Sequence, residues 1–206
     1  MNTCFPGTQL AALIVATSFA AGLNVYATVG TLGLLSNAGV LTLPGSLHLV
    51  SNWWVIGACL ALFTIELFAD KIPAFDLVWN ALHTFVRVPV AALLAFGATS
   101  SLSPQLQLLS TLAGAGIAFA AHGGKTAIRA AITPSPEPFT NIALSGAEDI
   151  LAVFLTWLAT KHPYLSAGIA MVFIVIILIL TRWILRALRK LFREAKNVLS
   201  SSDFAA

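Results

Sequence analysis

A short phrase occurs twice in this chain. Phe19-Ala20-Ala21 returns as Phe119-Ala120-Ala121, with Ala27 and Ala127 at matching places. A second pair follows, in which Phe68-Ala69-Asp70-Lys71-Ile72-Pro73 lines up with Leu158-Ala159-Thr160-Lys161-His162-Pro163. Each copy spans three hydrophobic segments, and an odd number of crossings would place the second copy upside down in a bilayer. That is the pattern of an inverted-repeat transporter fold. The medium follows from composition. Charged residues make up 9% of the 206, and the mean hydropathy is +0.90, whereas a soluble domain carries about a quarter charged residues. Too little polar material exists to coat a water-soluble surface.

The expected fold is therefore an all-α integral membrane protein with about six transmembrane helices, arranged as two three-helix inverted repeats. The crossings read as 8–37, 52–70, 76–98, 105–131, 139–160 and 164–187, at about 20 residues for each traverse of the hydrocarbon. They form one domain over 1–187, with repeats at 8–98 and 105–187, followed by a basic amphipathic tail over 188–206. The first segment lacks a basic start, since no Lys or Arg precedes Lys71, so it does not read as a removable signal peptide. Cys4 and Cys59 have no metal-ligand spacing and read as packing residues.

Charge sets the expected orientation. Six of the eleven basic residues are Arg182, Arg186, Arg189, Lys190, Arg193 and Lys196, which puts the C-terminus in the cytoplasm of a cell whose inner membrane holds the protein. Six crossings would put the N-terminus there too. The tail points to anionic lipid rather than nucleic acid, as an amphipathic helix lying on the inner leaflet. Ser200 to Ala206 reads as disordered. The stretch Ser166 to Thr181 has no ionisable group and reads as a wall facing lipid.

The other crossings each carry one polar stripe at helical spacing. These are Asn24, Thr28 and Thr31; Glu66 and Asp70; Asp76, Asn80, His83 and Arg87; His122, Lys125 and Arg129; and Asn141, Ser145, Glu148 and Asp149. An ionised group at mid-bilayer costs between about 3 and 15 kcal/mol, so such groups persist only when paired or wet. Up to Lys161 the chain has six acids and five bases, which suggests mutual pairing, with Glu66 or Asp70 to Arg87 as the first expectation. The stripes are expected to line a shared polar chamber; the alternative is that they fasten helices together.

Two helices are expected to be broken, at Gly22-Leu23-Asn24 and at His122-Gly123-Gly124-Lys125. Unwound backbone offers free N–H and C=O groups where it lines a cavity. The plainer alternative is that Gly22, Gly123 and Gly124 let helices approach closely. Thr133-Pro134-Ser135-Pro136-Glu137-Pro138 cannot be helical throughout and reads as a stiff turn or a re-entrant tip. His83 and His122 could handle protons beside Glu66, Asp70 or Glu148, or serve as plain hydrogen-bonding groups. No metalloenzyme or serine-hydrolase motif is present, and no cofactor or metal is expected.

The phrases Gly22-Leu23-Asn24-x-Tyr26, Glu66-Leu67-Phe68-Ala69-Asp70-Lys71-Ile72-Pro73 and Trp79-x-x-x-His83-Thr84-Phe85-x-Arg87 form one series. His122-x-x-Lys125-x-x-x-Arg129, Ser135-Pro136-Glu137-Pro138-Phe139-x-Asn141 and Ser145-x-x-Glu148-Asp149 form another. Together, over roughly residues 8 to 187, they resemble an uncharacterised prokaryotic membrane family known as domain of unknown function 4126. The resemblance implies a multi-pass protein and brings no activity with it. Val25 stands where that family often has a proline.

The leading expectation is a small secondary transporter or channel-like permease, acting as a homodimer. Asn24, Tyr26, His122 and Lys125 would line the site from broken helices. Arg87, Lys125 and Arg129 would favour an anionic or zwitterionic solute, and Glu66, Asp70 and Glu148 would carry a proton or cation. The alternatives are a non-transporting scaffold or lipid-organising protein, and an intramembrane enzyme acting on lipid headgroups through Glu148, Asp149 and His122.

Overall fold

The computed structural model describes residues 7–69, 73–132 and 138–202. The side chains of 73–77, 130–132, 138–141, 188, 191 and 194–202 fall outside that description. Among these residues seven α-helices follow one another: α1 (Gly7–Leu23), α2 (Val25–Asn37), α3 (Trp53–Ala69), α4 (Pro73–Ala98), α5 (Pro104–Ile132), α6 (Pro138–Lys161) and α7 (Pro163–Ser202). A short 3₁₀ helix, Gly45–Ser51, precedes α3. The last four α-helices all open on proline, whose fixed φ suits the first helical position and whose missing N–H costs nothing there. The expected boundaries of crossings two to five agree with α3 to α6 to within a few residues.

The protein is an all-α, multi-pass membrane protein. Among the described residues four helices are long and apolar enough to span a bilayer, covering Val78–Ala98, Pro104–Arg129, Ile142–Lys161 and Pro163–Ala187. The 3₁₀ helix and α3 together make a fifth candidate, bent by 56°.

The segment 8–37 is not one crossing. A straight helix of 30 residues would measure about 45 Å, well over the hydrocarbon thickness of about 30 Å. The chain instead turns back at Asn24. Gly7, Ile14 and Thr17 of α1 line one pocket with Leu32 of α2, with Leu41 and Leu47, and with Leu94, Ala98 and Leu102. In an unturned rod Thr17 and Leu32 would lie about 22 Å apart, and Gly7 would sit at the far end from Leu41. The pair is thus a re-entrant hairpin whose two outer ends share one face.

That face also carries the other turns. Ser46 Oγ donates to Gly97 O at 2.8 Å, and Asn37 Nδ2 donates to Ser51 O at 2.7 Å. The hydroxyls of Thr8 and Tyr164 are 2.7 Å apart. Helices α1, α3, α5 and α7 therefore run one way and α2, α4 and α6 the other. The inverted arrangement fails for the first repeated pair alone, because α3 and α6, which carry the second pair, run in opposite directions. The helices holding the repeated phrase, α1 and α5, point in the same direction, and side by side Ser18 meets Gly114 while Gly22 meets Ala118. The phrase itself has two fates, since Phe19 is fully buried and Phe119 is 60% exposed. Gly7 therefore lies on the face opposite the end of α7.

Helix α1 is the core of the bundle. It packs on α4, α5, α6 and α7, and every residue from Ala16 to Leu23 is buried. Small residues permit this. A Cβ at Gly22 would lie 2.6 Å from Ala118 O and 2.8 Å from the Ala121 Cβ, so backbones approach as closely as atoms allow. Phe19 stacks on Phe173 of α7 at 6.1 Å. The outer surface of α7 is apolar and exposed along Met171, Val172, Val175, Ile176 and Ile179, as a lipid-facing wall requires. Beyond Arg182 the helix does not turn to lie flat. α7 continues unbroken to Ser202, a length of about 60 Å, and the expected disorder from Ser200 is replaced by helix as far as Ser202. Trp53 and Trp54 are exposed at the start of α3, where an interfacial aromatic belt would place them.

Candidate functional site

The polar stripes of five segments meet in the interior. Asn24, Thr28, Glu66, Asn80, His83, Arg87, His122, Lys125, Arg129, Ser145, Glu148 and Asp149 are all buried, and Tyr26 is partly buried beside them. Asp70 lies outside the described residues, as do the Pro-rich stretch 133–137 and the side chains of Asp76 and Asn141.

The first break supplies the tip. Asn24 adopts an extended backbone (φ −147°, ψ 107°), and its Oδ1 accepts from the Ala27 N–H at 2.9 Å. It is the N-cap of α2, satisfying a donor that the new helix would otherwise leave open. Its Nδ2 donates to Asp149 Oδ1 at 2.8 Å, tying the tip to α6. The turn also exposes the last carbonyls of α1, which two cations use. Lys125 Nζ donates to Leu23 O at 3.2 Å and Arg87 Nη1 to Gly22 O at 3.4 Å. The second expected break is absent. α5 runs without interruption through His122-Gly123-Gly124-Lys125. A Cβ at Gly124 would strike the Ile177 side chain of α7, while one at Gly123 would meet nothing. Gly124 is a packing contact, as is Gly22.

Around the tip the ionisable groups pair with one another. Arg87 Nη2 donates to Glu66 Oε1, the partner anticipated for it. Glu148 Oε2 forms an ion pair with Lys125 Nζ at 3.0 Å and accepts from Arg129 Nη2 at 2.8 Å. Lys125 also lies 3.9 Å from Glu66 Oε1, so it joins the two carboxylates. The buried charged residues among those described are three carboxylates and three cations. Such pairing is what the low-dielectric interior demands, because removing one member would strand a charge at a cost of about 3–5 kcal/mol.

Two histidines complete the cluster. His122 Nε2 lies 2.9 Å from Asn80 O and from Thr84 Oγ1. A carbonyl can only accept, so Nε2 carries the hydrogen and Nδ1 accepts from Arg87 Nη1 at 3.0 Å. By the same logic His83 Nδ1 donates to Trp79 O at 2.7 Å, leaving Nε2 to accept from the Tyr26 hydroxyl at 2.9 Å. Thr84 was not singled out by sequence, although it stands four residues after Asn80 on the same stripe. Among the described residues no group of three or more His, Cys, Asp or Glu is placed to hold a metal ion.

Two openings lie near these contacts. A pocket of about 190 Å³, lined mostly by Leu and Ile, opens toward the far end of the hairpin and holds none of the cluster residues. An open groove of about 420 Å³ beside α6 reaches only Asp149 among them, with Phe63, Ile150, Val153, Phe154 and Trp157 as its other walls.

Residues 11–183 match the family described as Domain of unknown function (DUF4126). The chain belongs to that family. No curated protein and no solved structure matches it. In this DUF4126 chain the phrases that carried the resemblance converge in space: Asn24, Glu66, His83, Thr84, Arg87, His122, Lys125, Arg129, Glu148 and Asp149 form one network. The chain breaks at Asn24 even with Val25 in the following place, because the asparagine cap rather than a proline ends one helix and starts the next.

Proposed function

We propose that this protein is a small secondary transporter or channel-like permease for an anionic or zwitterionic solute, with a proton or cation carried on the Glu66 and Glu148 carboxylates. The observation that supports the reading is the re-entrant tip at Asn24, which brings helix-end carbonyls onto a network of buried, paired charges. Broken, re-entrant backbone at membrane depth is tolerated where it is enclosed by protein or lines a cavity, and membrane carriers build their ion and substrate sites from it. The network is also incompletely satisfied. Glu66 Oε2 and Arg87 Nε are buried without a hydrogen-bond partner, whereas a purely structural fastening would be expected to use every donor and acceptor. With the groups paired, passage requires the pairs to part. Lys125, shared between Glu66 and Glu148, can move from one carboxylate to the other without being stranded. A second copy would thicken the thin wall at α3, where Leu60, Ile65, Leu67 and Phe68 are exposed.

Uptake of small carboxylates and amino acids into proteoliposomes tests the reading. Lys125→Ala and Glu148→Gln are expected to reduce flux at least about tenfold, the equivalent of about 1.4 kcal/mol, while the helical content survives. Unchanged flux in both variants would remove this network from the pathway.

The groove beside α6 favours a second reading, a lipid-organising protein. Its walls, from Phe63, Ile150, Val153, Phe154 and Trp157, are apolar and suit an acyl chain. Defined lipid that co-purifies with the wild type and is lost on Val153→Trp, with no solute flux in either, would favour it.

A further inference from the structure

We infer that the apolar pocket between the two arms of the hairpin is a binding site for the acyl chain of a membrane phospholipid. This goes beyond the permease reading and holds with or without it. The pocket runs along α1 from Gly7 to Thr17, with Leu32 of α2, Leu94 of α4 and the segment 41–44 among its other walls. Ten residues of helix make it about 15 Å deep, half of the hydrocarbon thickness of about 30 Å. Gly7, Thr42 and Ser101 at its mouth are exposed, while Thr17, Leu32 and Leu94 further in are buried.

The walls are fixed by contacts that need no occupant. Ser46 Oγ donates to Gly97 O at 2.8 Å and lies 3.2 Å from Ser100 Oγ. Leu47 packs on Gly97, where a Cβ would collide with it, so the segment that covers the pocket is pinned to α4. A space of about 190 Å³ remains. Water fills such a space poorly, since it needs two to four polar partners. None of the described lining residues is ionisable, and the Thr17 hydroxyl, deep in the pocket, already donates to Leu13 O at 2.8 Å. Apolar cavities of about 150 Å³ stay dry and take up molecules the size of benzene, so this one has room for about six to eight carbons. The bilayer presents those carbons in the matching orientation. A lipid chain runs alongside the helices, with its headgroup at the face where Thr42 and Ser101 offer hydroxyls and where Trp53 and Trp54 mark the interface. Without a cation in the lining, nothing there selects the carboxylate of a free fatty acid, which favours an esterified chain. Seated in the pocket, the chain touches Ile14 on α1 and Leu32 on α2 at once. It thereby braces the hairpin whose tip carries Asn24.

The full chain in a steroid-based detergent, which has no alkyl chain to compete, provides the test. Thermal unfolding is followed while dioctanoyl phosphatidylcholine is added. A ligand that binds only the folded state raises the midpoint in a saturable way. A gain of several degrees is expected for the wild type and for Ile179→Phe, a change on the exposed wall of α7. Less than half of that gain is expected for Ala98→Phe, which puts a ring into the pocket lining, and none for the wild type with octanoate. A second measurement needs no variant and decides alone should Ala98→Phe not fold. The wild type is photolysed with a phosphatidylcholine that carries a diazirine near the end of one chain, and adducts are expected within 10–17 or 94–102. No saturable gain in the wild type, an equal gain in Ala98→Phe, or adducts absent from both stretches would overturn the inference. An octanoate gain equal to that of the phospholipid would overturn it too, by making the ligand a free fatty acid. Neither readout depends on flux, so the permease reading can fail without touching this site.

Discussion

Two places in the chain put glycine beside a polar residue deep in an apolar helix, and they behave differently. At Gly22-Leu23-Asn24 the helix ends and the chain turns back. At His122-Gly123-Gly124-Lys125 the helix continues as though the glycines were alanines. Glycine weakens a helix by about 1 kcal/mol, but the paired glycines of α5 do not break it. What differs is the polar neighbour. Asn24 can cap a new helix with its own side chain while its amide holds Asp149. Lys125 has no acceptor with which to cap, and points its charge outward to Glu148 and to the carbonyl of Leu23. The break thus belongs to the capping residue, and the glycines belong to packing.

Four substitutions can break or sharpen that comparison, each followed by chemical or thermal unfolding in detergent. Gly22→Ala is expected to be the most damaging, by about 3 kcal/mol, the upper end for overpacking, since the new Cβ meets the Ala118 backbone oxygen at 2.6 Å and backbone cannot step aside. Asn24→Ala is expected to cost about 2 kcal/mol, combining a lost N-cap with a lost hydrogen bond to a carboxylate. A loss under 0.5 kcal/mol would mean that the turn is imposed by packing alone. Gly124→Ala comes next at about 1 kcal/mol, because the atom it meets belongs to the Ile177 side chain. Adding Ile177→Ala should recover part of the Gly124→Ala effect in a double-mutant cycle, and a purely additive result would refute the contact. Gly123→Ala should be neutral or stabilising by up to about 1 kcal/mol, as nothing lies within 4 Å of the added carbon. Marked loss of stability there would revive a break in α5.

The element boundaries were readable because hydropathy and proline placement are local signals. α3 to α6 fell close to the segments 52–70, 76–98, 105–131 and 139–160, with Pro104, Pro138 and Pro163 at helix starts. The inward faces were readable too, since Asn80, His83 and Arg87 share one side of α4 while Leu82 and Phe85 are exposed on the other. The hairpin in 8–37 was not. Hydropathy has no direction, so an apolar run that goes in and returns scores like one that goes through. The clue lay in its length, too great for one traverse, and in the capping ability of Asn24. The first repeated pair misled because Phe-Ala-Ala is a generic packing phrase. Phe19 uses it to fill the core, and Phe119 turns to the lipid.

From its residues alone the chain was bound to be helical and embedded in lipid, with acids and bases on inward stripes, because hydrocarbon tolerates neither open backbone nor unpaired charge. Pairwise choice was decided only by the folded bundle: Glu66 with Arg87, Glu148 with Lys125 and Arg129, and Asn24 with Asp149. Those choices depend on the direction and depth of each helix. Helix direction was fixed when one asparagine turned α1 back on itself and seated its tip among the charges.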